Sequence, residues 1–265
     1  MLVPQTPAPP APRRPSTWRW HTAVTVVSGL LGLAAWELVV RLSGLPAFIL
    51  PSPSLVSARL VDVLADGSLG RHLQATAGEV LAGLLLGGAV AAGLGYLIAK
   101  SPALERALMP YIIASQSVPV VAIAPLLVIW LGPGLISKVV VCALIVFFPL
   151  LINTVVGLRS VPAELRDLLR GLQATRWQTF IKLEAPAALP VLLGGLKIGA
   201  TLAVIGAVVG ELVGADRGLG FLVNVGRGQY DTALVFVAVG ALVALALTLY
   251  GGVALLERTL LNWKR

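Results

Sequence analysis

The sequence predicts an all-α polytopic membrane protein with six transmembrane helices. Its 265 residues are 57% hydrophobic and only 12% charged, and their mean hydropathy is +0.92. Ordinary soluble domains carry about 25% charged residues, so this composition excludes a soluble globular fold. Long continuous apolar runs indicate helices, because the strands of a membrane β-barrel are short and alternate apolar with polar residues.

Residues 1–20 are predicted to be a disordered cytosolic tail. They contain six prolines and three arginines, a composition that cannot bury enough apolar surface to form a packed core. A secretory signal peptide is the rival interpretation, but the apolar stretch at about 23–40 is long for a signal peptide and suits a true span. Residues 21–265 are then predicted to form a single transmembrane domain.

Each of the six predicted spans is close to the ~20 residues needed to cross a bilayer. Between the first two spans, residues 50–73 combine a proline-rich turn with an amphipathic stretch, which predicts an interfacial helix on the outer surface. Prolines within the later spans free backbone carbonyls, which only neighbouring protein or a water-lined cavity can satisfy. The predicted spans run at about 23–40, 75–99, 110–131, 136–158, 191–213 and 233–256.

The distribution of basic residues predicts the orientation of these spans. Six spans place both termini on the same side of the membrane. Thirteen of the twenty lysines and arginines fall in the tail, in the 100–107 loop, in residues 158–190 and at the C-terminus, and six, Lys138 among them, fall in the opposite loops. The positive-inside rule therefore places both termini and residues 158–190 in the cytosol. This topology, and not nucleic-acid binding, explains the formal net charge of +8, because the basic residues are scattered among apolar runs.

Residues 158–190, LRSVPAELRDLLRGLQATRWQTFIKLEAPAALP, form a charged segment within this apolar chain. The segment contains five basic and three acidic residues, among them Glu184. These charges exclude it from hydrocarbon, so it is expected to face water or another protein. Apolar residues recur at helical spacing, which predicts two short amphipathic helices with a bend near 171–175. The apolar positions are Leu165, Leu168, Leu169 and Leu172 in the first helix and Trp177, Phe180 and Ile181 in the second.

The sequence indicates no metal site, no cofactor site and no ATP site. Cys142 is the only cysteine, which excludes an intrachain disulfide and favours a small buried thiol. His21 and His72 are far apart and lack companion ligands. The chain has no G-x-x-x-x-G-K-[ST] phosphate-binding loop, so energy from ATP would have to come from another polypeptide.

Polar residues inside the predicted spans mark a candidate solute pathway, because such residues are costly in a bilayer. Serine and threonine hydroxyls can instead bond to their own helix, whereas Gln116 and Asn153 favour the pore or an interhelical bond. Glu211 is expected to meet Arg217 or a partner subunit, and Lys197 is expected to extend to the cytosolic surface. The candidate pathway residues are Ser115, Gln116, Ser117, Asn153 and Thr154.

Five segments together resemble the transmembrane permease subunit of bacterial ATP-binding-cassette (ABC) importers of the binding-protein-dependent type. The resemblance covers almost the whole chain after the tail, and the combination is much more specific than any single segment. It is carried by LPSPS at 50–54, VPVVAIAPLLVIWLGPGLISKVV at 118–140, FFPLLINTVVGLRSVP at 147–162, the charged segment 158–190, and GAVVGELVGADRGLGFLV at 206–223.

In this family the cytosolic loop between helices 4 and 5 couples the permease to its ATPase, and it carries a Glu-Ala-Ala signature followed by a glycine and later a proline. Here Asp167 keeps the carboxylate and Pro186 the proline, while leucines replace both alanines and Gln173 replaces the glycine, so that Gly171 is expected to supply the bend. The rival interpretation is that the leucines pack against the protein's own helix ends. The implied ATPase-coupling residues are Glu164, Leu165, Asp167, Leu168, Leu169, Gly171, Gln173, Trp177 and Pro186.

The resemblance implies a non-catalytic, multi-pass permease subunit in the bacterial inner membrane, surrounded by membrane lipid. The implied partners are a dimer of cytosolic ABC ATPases, a second permease subunit that is identical or a sibling chain, and an extracytoplasmic solute-binding protein. The chain resembles permeases for nitrate, sulfonates and taurine and also those for pyrimidine vitamin precursors or riboflavin. Residues 226–238, GRGQYDTALVFVA, favour the vitamin group.

A motor-independent secondary transporter or channel is the alternative function. Such a protein would usually carry ionisable residues at mid-membrane for ion coupling. In this sequence the acidic residues Glu79 and Glu211 lie near the ends of predicted spans, so the importer interpretation is favoured.

Overall fold

The computed structural model describes residues 17–262, which fold into helices and their connections. Of the predicted tail, residues 1–16 lie outside the described residues, and residues 17–20 already belong to the first helix. No strand occurs within the described range, which agrees with the all-α class. The helices are α1 (Thr17–Ser43), α2 (Pro53–Ala65), α3 (Ser68–Lys100), α4 (Pro102–Gln116), α5 (Val120–Leu131), α6 (Leu135–Arg159), α7 (Ala163–Gly171), α8 (Arg176–Thr179), α9 (Ala185–Gly214), α10 (Leu219–Gly228) and α11 (Thr232–Leu260).

Four helical stretches are long and apolar enough to cross a membrane, judged by length and composition. They are α3, α6, the continuous stretch Arg176–Gly214 that ends in α9, and α11; α4 and α5 add a fifth span if the bent pair counts as one. α1 contains the first predicted span, but several of its side chains fall outside the described part of the chain and it does not enter this count. A polytopic membrane protein is therefore confirmed, and the number six stays a prediction.

The predicted third span, 110–131, is a broken pair of helices and not one straight helix. α4 ends at Gln116, α5 begins at Val120, and their axes meet at 93°. Pro119 explains the break, because proline has no backbone N–H to donate and disfavours helical geometry in the residue before it. α4 also begins within the predicted 100–107 loop, so most of that loop is helical.

The packed core of the bundle lies between α3, α6 and α9. Cys142 on α6 is fully buried, and its Sγ lies 3.5 Å from the carbonyl oxygen of Ala203 on α9, as expected for a small buried thiol. A glycine permits this close approach, because a Cβ atom at Gly206 would lie 2.8 Å from the Cα atom of Cys142. The other buried core residues are Val80, Ala91, Ile98, Val146, Leu150, Leu151, Val155, Ala203, Val204 and Ala207.

A second apolar cluster closes the end of the bundle away from residues 158–190. Arg59 of α2 donates from Nε to Oδ2 of Asp231 at 2.8 Å, and Oδ1 of Asp231 accepts from the backbone N–H of Leu234 at 2.9 Å, which caps α11. The helix expected within residues 50–73 is therefore present as α2 and is anchored to α11. The buried residues of this cluster are Val63, Leu69, Leu219, Leu222, Leu234, Val237 and Ala238.

Candidate coupling segment and solute pathway

Residues 158–190 contain the two short helices α7 and α8. α7 matches the first predicted amphipathic helix, whereas the second predicted helix is not separate from α9, because the helical stretch Arg176–Gly214 is continuous. A π-helical turn at Phe180–Glu184 then leads into α9. α8 is stabilised by a capping box, in which Thr175 Oγ1 accepts from the N–H of Gln178 at 3.2 Å and the N–H of Thr175 donates to Oε1 of Gln178 at 2.8 Å. These local interactions fix the start of α8 directly after the bend.

The bend falls at Gln173, within the region 171–175 where the sequence predicts it, but Gly171 does not supply it as expected. Gly171 is the last helical residue of α7, whereas Gln173 has a φ of +54°. The N–H of Gln173 donates to the carbonyl of Arg170 at 2.9 Å and the N–H of Ala174 to that of Leu169 at 3.0 Å, which is the Schellman pattern of helix ends. A left-handed residue at this point is normally glycine, which explains physically why a glycine suits the Gln173 position.

α7 presents an apolar face that the described part of the chain leaves uncovered. Leu165, Leu168 and Leu172 are 43%, 59% and 68% exposed, and only Leu169 on this face is half-buried. Trp177 on α8 is also largely exposed, although its ring stacks on Phe180 with centroids 5.8 Å apart. Exposed apolar residues grouped in this way are typical of an interaction surface.

The charged and proline residues of the segment fit its local structure. Glu164 lies in the first turn of α7, where the helix dipole favours a carboxylate. Asp167 is exposed and pairs with Arg170, with 2.9 Å between Oδ1 and Nη1; such exposed pairs contribute little stability. Pro186 lies at the start of α9, directly after the π-helical turn that ends at Glu184. Both carboxylates are therefore accessible to a partner protein.

Glu184 is buried, although the sequence predicts that it faces water or another protein. It is 2% exposed, and Lys100 Nζ, at the end of α3, donates to its Oε1 at 2.5 Å. The Nε atom of Arg166, on α7, lies 3.9 Å from the same oxygen. Lys100 is 84 residues away in the chain, so no local pattern reveals this pair. The only signal is that Glu184 stands within an apolar run before α9.

The candidate pathway residues fall into two groups. Residues 115–117 lie exposed at the bend between α4 and α5, and the hydroxyl of Ser115 donates to the carbonyl of Ile112 at 2.7 Å. On α6, the side chains of Asn153 and Thr154 each donate to the carbonyl four residues earlier on their own helix, both at 2.7 Å. Asn153 is half-buried against Gly195 on α9, whereas Thr154 is buried against α3. Residues 115–117 thus lie at the bend between α4 and α5, whereas Asn153 faces α9 and Thr154 faces α3.

Glu211 is held by α3 and α10. The sequence predicts Arg217 or a partner subunit as its partner, and Arg217 does not supply these contacts. It is 1% exposed. Thr76 Oγ1 donates to its Oε1 at 2.6 Å, and the N–H of Gly220 donates to its Oε2 at 2.5 Å. Lys197, expected to extend to the cytosolic surface, pairs with Glu257 near the end of α11. Both ionisable residues of α9 are therefore used within the bundle, because burial of a charge requires a partner.

A cavity of about 1110 Å³ opens beside Glu211, at the end of the bundle away from residues 158–190. Lys138 in the first turn of α6 and Glu79 on α3 line it, and 3.5 Å separates Lys138 Nζ from Glu79 Oε1. Both side chains are only 3% exposed, so Lys138 is a buried residue and not the loop residue that the sequence predicts. The charged or titratable lining residues are Arg71, His72, Glu79, Lys138, Asp216 and Arg217.

The chain is similar to several permeases of known type. The model of the family "Binding-protein-dependent transport system inner membrane component" matches residues 83–262. The riboflavin transport system permease protein RibX of Chloroflexus aurantiacus is 48% identical over 99% of this chain and 98% of its own length. The formylaminopyrimidine transport permease protein ThiX of Halalkalibacterium halodurans is 37% identical over 89% and 94%, and the taurine permease TauC of Escherichia coli is 32% identical over 93% and 93%.

A solved structure supports the same fold. The methionine ABC transporter MetNI, determined in inward-facing conformations, contains a chain that matches with a TM-score of 0.65 at 20% sequence identity, over 74% of this chain and 97% of that one. The family membership favours an importer subunit over a motor-independent transporter. It also makes the chain a non-catalytic permease subunit, with ATP hydrolysis in a separate subunit. The family model matches residues 83–262, and relatives align along almost the whole chain. The chain therefore belongs to the family of binding-protein-dependent transport system inner membrane components.

Proposed function

We propose that this chain is the permease subunit of an ABC importer for riboflavin or a pyrimidine vitamin precursor. The observation that carries the choice of solute is the similarity gradient: identity is 48% to a riboflavin permease and 37% to a formylaminopyrimidine permease, but 32% to a taurine permease. Residues 226–238, which connect α10 to α11, support the same group. Nitrate, sulfonates and taurine are the other candidate solutes.

The proposed membrane arrangement has six spans with both termini in the cytosol. α1 would be the first span and the α4–α5 pair the third, with α3, α6, α9 and α11 as the others. The distribution of lysine and arginine supports this orientation. Residues 158–190 would then face the cytosol of the bacterial inner membrane, and α2 and the cavity beside Glu211 would face outwards.

The uncovered face of α7 is the proposed docking surface for the ATPase. A short amphipathic helix can insert its apolar side chains into a groove of a partner, and Leu165 and Leu168 are exposed enough to do so. Two permease subunits, identical or sibling chains, would dock on an ATPase dimer. Closure of the ATPases on ATP would draw the two α7 helices together and open the pathway outwards, and hydrolysis would reset it.

The proposed solute route follows polar residues that the bilayer does not favour. Residues 115–117 are exposed at the bend between α4 and α5, where the broken helices leave backbone groups available. Asn153 and Thr154 would contribute from α6 during the cycle. An extracytoplasmic binding protein would deliver the solute to the outer end of this route.

Uptake into vesicles tests the choice of solute. Vesicles holding the permease and its ATPase receive the binding protein and labelled riboflavin, formylaminopyrimidine or taurine at equal concentration. We expect ATP-dependent accumulation of riboflavin or formylaminopyrimidine and none of taurine, with a non-hydrolysable ATP analogue as the control. Accumulation of taurine without either vitamin-type solute would contradict the proposal.

A further inference from the structure

Three structural elements meet at the buried carboxylate of Glu184. Lys100 reaches it from the end of α3, Arg166 approaches it from α7, and Glu184 itself ends the π-helical turn before α9. Its side chain is 3% exposed, whereas that of Lys100 is 42% exposed. α3 and α9 belong to the packed core, so this carboxylate joins the core of the bundle to the proposed docking helix.

Two polar atoms at this junction are buried and have no hydrogen-bond partner among the described residues: Nε of Arg166 and Oε2 of Glu184. Arg166 is positioned by its Nη2 atom, which donates to the carbonyl of Leu158 at 2.7 Å. Its Nε lies 3.9 Å from Oε1 of Glu184, which is too far for a hydrogen bond. Unsatisfied buried atoms of charged groups are costly, so both groups would gain from a closer approach.

The approach requires only a small movement of α7. A shift of about 1 Å would bring Nε of Arg166 within hydrogen-bonding distance of the Glu184 carboxylate, and arginine can then bind both carboxylate oxygens at once. α7 has no fully buried residue and shares no extended packing surface with another described helix. It can therefore move against the core more easily than α3, α6 and α9 can move against each other.

Lys100 has an alternative environment when Arg166 takes the carboxylate. Its Nζ already lies 5.6 Å from the centre of the Tyr96 ring, within the range of a cation–π interaction, and its side chain reaches solvent. Release of this lysine therefore costs less than leaving Nε of Arg166 and Oε2 of Glu184 buried without hydrogen-bond partners. The two cations are thus unequal competitors for one site.

We propose that Glu184 is a positioning residue that exchanges Lys100 for Arg166 when the ATPase presses on α7. This inference rests on the proposed docking of the ATPase at α7. In the present structure Glu184 ties the end of α3 to the start of α9. After the exchange it ties α7 to α9, and the end of α3 is released from α9. The exchange converts a shift of the docking helix into a change in the contact between two spans.

Opposite effects of two substitutions test the exchange. Arg166→Gln removes the incoming cation and keeps the Lys100–Glu184 pair, so the ratio of solute transported to ATP hydrolysed should fall about ten-fold, the effect of losing one charge-assisted hydrogen bond. Lys100→Gln removes the resting tether, so ATP hydrolysis in the absence of the loaded binding protein should rise several-fold. A purely structural role would lower both activities instead.

Matched control variants and a test of ATPase binding separate this proposal from the docking proposal. Arg170→Gln on the exposed side of α7 and Lys182→Gln in the π-helical turn should leave both readouts unchanged. Co-purification of the ATPase with each variant shows that docking is intact. Unchanged transport per ATP in Arg166→Gln, or reduced ATP hydrolysis in Lys100→Gln, with the ATPase still bound, would overturn the exchange. If transport were lost in Leu168→Asp but not in Arg166→Gln, the docking proposal would stand and the exchange would be rejected.

Discussion

The buried carboxylate of Glu211 holds three helices together at the end of the bundle away from residues 158–190. Thr76 donates to it at 2.6 Å and also accepts from the N–H of Leu219 at 2.8 Å. One hydroxyl thus links α3 to α9 and to the start of α10. Because the surroundings are buried, loss of this hydroxyl would leave Oε1 of Glu211 and the backbone N–H of Leu219 without their hydrogen-bond partner.

Thr76→Val should lower the free energy of unfolding by about 3 kcal/mol, the cost of leaving two buried polar atoms without a hydrogen bond. Valine has nearly the same shape as threonine, so packing is preserved. Denaturant unfolding of the purified protein in mild detergent measures the change. The control is Thr248→Val, since Thr248 is exposed on α11 and bonds only to its own helix, at the carbonyl of Ala244. Equal stability of the two variants would contradict this account.

At the residue scale the sequence predicts what depends on neighbours along the chain and misses partners that are far apart. The buried thiol of Cys142 follows from the apolar run around it. The bond between Thr76 and Glu211 joins residues 135 positions apart, and the Lys100–Glu184 pair joins residues 84 positions apart. Charge alone predicted surface positions for Lys138 and Glu184, because a sequence does not show that a partner is buried beside them.

The connection between α7 and α8 sets the orientation of α7, the proposed docking helix. Gln173 occupies a left-handed conformation that costs a non-glycine residue roughly 1–2 kcal/mol. Gln173→Gly should therefore raise the free energy of unfolding by about 1 kcal/mol. The gain is smaller than the full cost of the left-handed conformation, because glycine has greater freedom in the unfolded chain. Thermal or denaturant unfolding in detergent measures this gain.

Gly171→Ala is the matched comparison for this element. Gly171 is helical and nothing lies within 4 Å of a Cβ atom placed on it, so alanine should be neutral or slightly stabilising. If Gly171→Ala proved strongly destabilising and Gln173→Gly had no effect, the bend would have to lie at Gly171 after all.

At the element scale, long apolar runs predict the helices well and predict their breaks less well. α3, α6, α9 and α11 lie where hydropathy places spans. The 110–131 stretch is equally apolar, yet it bends by 93°. Pro119 was a visible signal, but proline in a membrane helix is compatible with a kink, a break or a nearly straight helix. Which of these occurs depends on the helices packed around it.

On the scale of the whole molecule, the permease family was predictable because several segments carry its pattern, residues 158–190 among them. Residues 158–190 combine charge with two amphipathic repeats, and this combination survives the loss of the Glu-Ala-Ala alanines. The solute was less predictable. A permease that receives solute from a binding protein needs few specific contacts of its own, so the choice rests on similarity to RibX and ThiX and not on a recognised pocket.

The central claim is that α7 receives the force of a separate ATPase, and ATP-dependent uptake by the Leu168→Asp variant tests it most directly. Leu168 is 59% exposed, so the substitution should leave the fold intact and place a charge in an apolar groove of the ATPase. We expect uptake to fall at least about ten-fold and the ATPase to stop co-purifying, with Arg170→Gln as the unchanged control. Undiminished uptake by Leu168→Asp, or uphill transport by the permease alone, would contradict the account.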